Sequence, residues 1–181
     1  MPFLDRNFFE ILGSQAVSLA GGIVAGTLLA VYTDQLLLLP GIFIMLPGFL
    51  EMRGNISGSF SSRISSGLFL GIIRARSPSR KIIRGNLAAS FILATAVSLL
   101  LGIIAFVFSF FIGGVVFPEI IILPLIAGVL ANAIEIPLTL FATIYLYRKG
   151  HDPNNIMGPF ITSTGDVISV LSLLLSMVIL T

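Results

Sequence analysis

Long apolar runs are the feature of this sequence that most constrains its fold. Several exceed ~20 residues, the length that an α-helix needs to cross a bilayer core about 30 Å thick. The sequence is 56% hydrophobic and only 10% charged, whereas a soluble domain carries roughly a quarter charged residues. So many apolar side chains cannot be buried in one small soluble core. The sequence therefore predicts an integral membrane protein.

Helices are the secondary structure that this pattern favours, because the runs are too long for barrel strands and lack their period of two. We predict an all-α integral membrane protein in which residues 1–181 form one transmembrane domain, with no soluble domain before or after it. The five predicted transmembrane helices cover residues 8–31, 36–73, 87–112, 118–147 and 157–180. The second is too long for one straight span, so we expect a break or kink at Pro40, Pro47 or Gly48.

The basic residues indicate how the helices are oriented. Apart from Arg53 and Arg63, which lie within the second predicted span, they precede the first span, or fall between the second and third spans or the fourth and fifth: Arg6; Arg74, Arg76, Arg80, Lys81 and Arg84; Arg148 and Lys149. If the chain crosses the membrane five times, all three segments lie on the same side, and segments rich in Lys and Arg favour the cytoplasm. We therefore predict a multi-pass protein of the cell membrane with a cytoplasmic N-terminus and an extracellular C-terminus.

Three acidic residues, Glu51, Glu135 and Asp166, lie well inside predicted spans, whereas Glu10 and Glu119 lie near span ends, where headgroups and water solvate them. An ionisable side chain within a bilayer is costly and typically has a function, so each is a candidate site residue. Asp166 comes about ten residues into the fifth predicted span, near mid-depth at 1.5 Å per residue. The residues that share its helix face are Thr162, Ser169 and Ser176. Such a polar stripe is expected to face protein or water rather than lipid.

Two other predicted spans carry polar faces of the same kind. The face of the second consists of Glu51, Asn55, Ser59, Ser62 and Ser66, and that of the fourth of Gly128, Asn132, Glu135, Thr139 and Thr143. Pro137 removes a backbone donor, so the carbonyl of Ala133 is free to face a cavity or an ion. Arg53 and Arg63 would repel a cation, and each is expected to pair with an acid or to extend to the cytoplasmic interface. The partner of Arg53 is left open between Glu51 and Glu135.

The oxygen-rich character of these faces suits a hard divalent cation. Mg²⁺ keeps several waters in proteins and needs one or two carboxylates rather than a full cage of ligands. The sequence has no cysteine, and its single histidine lies in a predicted loop, which argues against metals that prefer softer ligands. The candidate metal ligands are Asp166, Asn55, Glu51, Glu135 and Thr162, and the candidate pore-lining residues are Ser59, Ser62, Asn132 and Ser169. Ligand chemistry alone leaves Mg²⁺, Mn²⁺, Ca²⁺ and protons open.

Two motifs resemble those of known magnesium transporters. One reads Pro47-x5-Arg53-Gly54-Asn55-x6-Ser62-Arg63-Ile64-Ser65-Ser66, and the other runs from Gly158 to Asp166. The former is similar to the signature of the eukaryotic solute carrier family 41 transporters and, more loosely, of the bacterial MgtE transporters. The latter resembles the final helix of that family, with its ion-binding aspartate. The resemblance implies a cation pore on the axis of a homodimer, lined by the second and fifth helices. It also implies that Asp166 is the central aspartate and that Asn55 is the motif asparagine near the pore.

The sequence departs from the bacterial pattern at several points. Ile56-Ser57-Gly58-Ser59-Phe60 stands where a second glycine and a glutamine are expected, and Glu51 and Glu135 stand where small residues are expected. Bacterial MgtE proteins also carry cytoplasmic Mg²⁺-sensing domains ahead of the membrane part, and none is expected here. These departures leave ion selectivity and coupling open.

The leading hypothesis is a homodimeric transporter or channel for a divalent metal cation, with Mg²⁺ favoured as the transported ion. We expect no enzyme activity, because no nucleophile, histidine pair or acid cluster occurs at motif spacing, and we expect no cofactor and no nucleic-acid partner. The alternative hypothesis is a proton-coupled membrane carrier for a small organic solute. Passive transport and transport coupled to Na⁺ or H⁺ both remain open.

Overall fold

The structure is a computed structural model that describes residues 5–76, 79–114 and 116–180. The side chain of Arg80 and both ends of the predicted domain 1–181 lie outside the described residues. Within those residues the chain forms helices and no strand. The helices are α1 Arg6–Val31, α2 Thr33–Leu37, α3 Ile42–Phe69, α4 Arg80–Gly113, α5 Glu119–Arg148 and α6 Pro153–Leu180. The predicted all-helical class is confirmed.

Four of the helices are long and apolar enough to cross a membrane. They are α1, α4 from Lys81, α5 and α6. The remaining long helix, α3, has 28 residues but carries Glu51, Arg53 and Arg63 within its length. Apolar character therefore supports four spans rather than the five predicted from the sequence.

The predicted segment 36–73 is broken around Pro40, one of the three positions expected to break or kink it. It begins within α2, is non-helical at residues 38–41 and resumes as α3. Gly41 has a φ of 80°, which is a left-handed conformation, and a Cβ there would overlap the side chain of Ser109. The helix then continues through Pro47 and Gly48, although a proline inside a helix removes one backbone hydrogen bond. A second left-handed glycine, Gly71 with a φ of 72°, follows the end of α3.

Two other helices begin earlier than predicted. The third predicted span starts at residue 87, but α4 begins at Arg80. The fifth predicted span starts at residue 157, but α6 begins at Pro153. The reason is that polar residues start these helices before the apolar run begins. At α6 the carboxylate of Asp152 accepts a hydrogen bond from the amide of Asn154 at 2.8 Å, and proline is well suited to the first helical position.

Three helices, α3, α5 and α6, pack against one another at the centre of the bundle. Helix α4 packs against α3 and α5, whereas α1 packs mainly against α6. Small residues allow the closest approaches: a Cβ at Gly102 would overlap the backbone of Ile121, and one at Gly21 would overlap Ser163. Helix α1 has one buried residue, Ala25, so most of its apolar surface faces outward.

Two apolar clusters divide the interior of the bundle. The first lies where α2 leads into α3, and includes Leu36, Ile42, Met45, Phe49, Leu123 and Leu173. The second lies toward the other end of α3, and consists of Phe60, Ile64, Leu68, Ile73 and Ile136. A polar layer lies between them along α3, in the segment from Phe49 to Phe60.

The basic segments of the chain meet at one end of the bundle. The guanidinium of Arg6 donates to the carbonyl of Gly150 at 2.6 Å, and Nε of Arg148 donates to the carbonyl of Ala75 at 2.8 Å. The start of α1, the α3–α4 connection and the α5–α6 connection are therefore neighbours. All three basic segments therefore share one end of the bundle.

Candidate functional site

A fully buried arginine occupies the centre of the polar layer. Arg53 on α3 is 0% exposed, and its guanidinium forms ion pairs with two carboxylates. Nη1 donates to Glu135 of α5, whose side chain is only 1% exposed. Nη2 donates to Oδ1 of Asp166 on α6 at 3.3 Å, and the Asp166 side chain is 24% exposed. The layer thus joins the three central helices through one cation and two anions.

A glycine on α6, Gly165, leaves the space that the guanidinium of Arg53 occupies. A Cβ at Gly165 would overlap the guanidinium of Arg53, so the charged group lies directly against the backbone of α6. On α3, Phe49 and Phe60 are completely buried on either side of Arg53 along the chain. Because a buried guanidinium needs partners for its charge and its N–H groups, Glu135 and Asp166 are required by the position of Arg53.

A groove opens beside the buried layer, between α3 and α6. Its volume is ≈ 470 Å³, and Asp166 forms part of its wall. Three other predicted metal ligands, Glu51, Asn55 and Thr162, line the same groove and are exposed. Its other lining residues include three glycines, which add no side chain: Pro47, Leu50, Arg53, Gly54, Gly58, Gly158 and Ile161. Four of the five predicted ligands are therefore brought together.

The fifth predicted ligand, Glu135, lies behind Arg53 rather than in the groove. Its carboxylate is sealed between α3 and α5, and the guanidinium separates it from Asp166. The rest of the predicted polar face of α5 is buried in the same way: Gly128, Asn132, Thr139 and Thr143. Pro137 lies on a different side of α5, where it lines an apolar groove with Leu87 and Phe141.

The predicted pore-lining residues separate into two groups. Ser59 and Ser62 are exposed on the same outward face of α3 as Glu51 and Asn55. Asn132 and Ser169 are completely buried inside the bundle, and the Asn132 amide donates to the carbonyl of Gly128 at 2.7 Å. The groove and the outward face of α3 thus form one polar surface that Asn132 and Ser169 do not reach.

The two arginines of the motif have different surroundings. Of the two partners left open for Arg53, Glu135 is the one that pairs with it, and Asp166 is a second, unexpected partner. The contact of the guanidinium with Gly165 was also not predicted. The position of this glycine directly before Asp166 was the one signal in the sequence that pointed to it. Arg63 instead reaches α4, where Nη2 donates to Ser90 at 2.8 Å and Nε to Asn86 at 3.1 Å.

The site offers oxygen ligands and excess negative charge to a cation. Two carboxylates share one guanidinium, and a third, Glu51, stands at the groove wall with an amide and a hydroxyl nearby. In the part of the chain that the structure describes, no three acidic or histidine side chains converge closely enough to hold a metal ion. A divalent ion in this groove would therefore keep part of its hydration shell, as Mg²⁺ commonly does.

Comparisons with known proteins agree with this chemistry. The family model of MgtE, described as a divalent cation transporter, matches residues 46–176, which is more than two thirds of the chain. The match includes nearly all of α3, the whole of α4 and α5 and most of α6, and therefore both motifs named above. No curated protein and no solved structure matched the chain.

Proposed function

The chain belongs to the MgtE family of divalent cation transporters, and we propose that it carries Mg²⁺ along a path that α3 and α6 line at the axis of a homodimer. The family consists of transporters and not of enzymes, as expected from a sequence without a catalytic motif. Mg²⁺ is the cargo in this proposal and not a resident cofactor.

The groove beside Asp166 is the observation that carries the proposal. It contains a partly exposed carboxylate next to a buried charge layer, and it opens to the surface between two central helices. Asn55 and Thr162 supply neutral oxygen atoms, and Glu51 supplies a second carboxylate. A set with one or two carboxylates and neutral oxygens is suited to a partly hydrated Mg²⁺, which needs few protein ligands.

We propose that α3 is a fifth membrane span. Its 28 residues are about 42 Å long at 1.5 Å per residue, which is enough to cross the hydrocarbon core. Two of its inward polar side chains have partners on neighbouring helices: Arg53 pairs with two carboxylates, and Ser61 Oγ lies 3.0 Å from Thr143 Oγ1. Polar residues of a span are tolerated where they face protein or a water-filled cavity.

The outward face of α3 supports the homodimer. Glu51, Asn55, Ser59, Ser62 and Ser66 are exposed in the single chain, and lipid is a poor solvent for all of them. A second copy related by a two-fold axis would cover this face with the same face of its own α3. Two grooves would then adjoin one polar path.

For the orientation, we propose a cell-membrane protein whose basic end is cytoplasmic. That end contains Arg6, Arg148 and the α3–α4 connection, which contact one another through the bonds to Gly150 and Ala75. Positively charged segments favour the cytoplasmic side, so the N-terminus would be cytoplasmic and the C-terminus extracellular.

The decisive experiment measures Mg²⁺ flux into liposomes that contain the purified protein and a trapped Mg²⁺-sensitive dye. We expect saturable flux in the wild type and a loss of at least about tenfold in Asp166→Asn, which keeps the shape but removes the ligand charge. Asp34→Asn is the matched control, because Asp34 lies on the short helix α2 and not among the residues that line the groove. Full flux in a folded Asp166→Asn variant would contradict the proposed site.

A further inference from the structure

The polar layer contains a charge arrangement that cation binding alone does not require. A groove meant only to attract a cation needs its carboxylate free, yet Asp166 already pairs with the guanidinium of Arg53. The same guanidinium has a second carboxylate, Glu135, which lies in the sealed interior. Asp166 therefore has two competing partners, an internal arginine and any ion in the groove.

The two arms of this ion-pair cluster differ in access and in geometry. Glu135 is 1% exposed and the Asp166 side chain is 24% exposed, so only Asp166 can meet an ion from the groove. The Nη2–Oδ1 distance to Asp166 is 3.3 Å, which is longer than the 2.7–2.9 Å typical of charge-assisted hydrogen bonds. The ion pair with Asp166 is thus the one that an incoming ion can replace, whereas the ion pair with Glu135 holds the arginine in place.

Gly165 restricts where the guanidinium can go. The charged group lies against the α6 backbone at Gly165, and Arg53 is 0% exposed within the bundle. When an ion takes Asp166, the guanidinium therefore stays buried beside Glu135. An arginine left without any carboxylate in this interior would be strongly unfavourable, and Glu135 removes that obstacle.

We propose that Arg53 is a built-in counter-cation that occupies Asp166 when no ion is bound, and that Glu135 is the positioning residue that lets it release Asp166. The inference rests on the proposed function, because it assumes that the cargo ion binds Asp166. Its consequence is a weakened affinity: the arriving ion must displace a cation that the protein itself supplies. Weak binding favours release, which a transport site needs as much as capture.

Two substitutions separate this role from a purely structural one. Glu135→Gln leaves Asp166 as the only carboxylate of Arg53, so the arginine holds Asp166 more firmly. The double variant Arg53→Met/Glu135→Gln removes the competitor and its anchor together. It also keeps the net charge of the cluster, because one cation and one anion are removed. Replacing both members of a buried ion pair is tolerated far better than removing one of them.

The experiment measures the half-saturating Mg²⁺ concentration of liposome flux. We expect it to rise about tenfold in Glu135→Gln and to fall about tenfold in the double variant, from the competition between charges at contact distance. Mg²⁺-dependent protection against thermal unfolding in detergent reports the binding affinity without transport, because an ion that binds the folded state raises its stability. Opposite shifts are the signature, since loss of packing would move both variants in one direction.

The outcomes distinguish this inference from the proposed function. If Asp166→Asn keeps full flux, the proposed site is wrong and the inference goes with it. If Asp166→Asn loses flux but both Glu135 variants keep the wild-type half-saturating concentration, the counter-cation role alone is wrong. Should the double variant fail to fold, Glu135→Gln decides, because an unchanged concentration in that isosteric variant overturns the role.

Discussion

The guanidinium of Arg53 lies so close to the backbone of Gly165 that a single added methyl group would overlap it. This contact connects the charge on α3 to the residue immediately before Asp166 on α6. It explains why a glycine precedes the aspartate in this helix: any side chain there would occupy the volume of the guanidinium. The buried charge layer therefore depends on a small residue as much as on its two carboxylates.

The contact predicts a clear cost for Gly165→Ala. The added Cβ would displace the buried guanidinium, and overpacking of this kind typically costs about 1–3 kcal/mol of unfolding free energy. Gly158→Ala is the matched control on the same helix, because a Cβ there would meet open space. We expect the control to keep its stability or to gain up to about 1 kcal/mol, because alanine is favoured over glycine inside a helix. Thermal unfolding in detergent measures both, and equal stability of the two variants would contradict the contact.

Much of the fold follows from the sequence, because long apolar runs have few alternatives to helices in a membrane. The first residues of the helices are harder to predict than the helices themselves. Polar starts such as the Asp152–Pro153 segment extended helices beyond their apolar runs. The sequence allows a break or kink at Pro40, Pro47 or Gly48. The chain breaks next to Pro40, where Gly41 adopts a left-handed conformation.

The candidate site was predictable only as faces of single helices. Helical spacing placed Asn55 with Glu51, and Thr162 with Asp166, and the structure brings these two faces to one groove. Spacing does not fix how one helix is rotated against another, which is why Asn132 and Ser169 are buried rather than on the groove. The double pairing of Arg53 is a tertiary contact between three helices, and no local pattern contains it.

Glu51 predicts an effect of ionic strength on uptake. It is an exposed carboxylate on the groove wall, so it should raise the local concentration of divalent ions. We expect Glu51→Gln to raise the half-saturating Mg²⁺ concentration by about two- to fivefold at low salt, and by less at ~0.5 M salt because the charge is then screened. Glu119→Gln is the control, since Glu119 is also exposed but lies in the first turn of α5 and not among the groove residues. An equal effect of both substitutions would indicate general surface charge rather than the groove.

A hydroxyl pair between α3 and α5 predicts a measurable coupling. Ser61 Oγ lies 3.0 Å from Thr143 Oγ1, and Thr143 donates its own proton to the carbonyl of Thr139 at 2.7 Å, so Ser61 is the donor of the pair. Interhelical hydrogen bonds in membrane proteins contribute about 0.6 kcal/mol on average. A double-mutant cycle of Ser61→Ala and Thr143→Val, measured by unfolding in detergent, should give a coupling of this size. Thr143→Ser keeps the hydroxyl and should retain the coupling, whereas additive costs would show that the pair does not form.

The outward polar face of α3 predicts where two copies meet. The sequence has no cysteine, so single cysteines can be introduced without further changes. We expect Ser59→Cys or Ser62→Cys to give a covalent dimer in liposomes on oxidation or with a short bis-maleimide, because residues near a two-fold axis face their own copies. A direct disulfide also needs Cα atoms within about 7 Å, which is why the reagent is included.

Ile134→Cys is the control on α5, where the native side chain is 57% exposed but apolar and suited to lipid. If Ile134→Cys is cross-linked as readily as the α3 variants, or if only monomers form, the polar face of α3 is not the contact between copies.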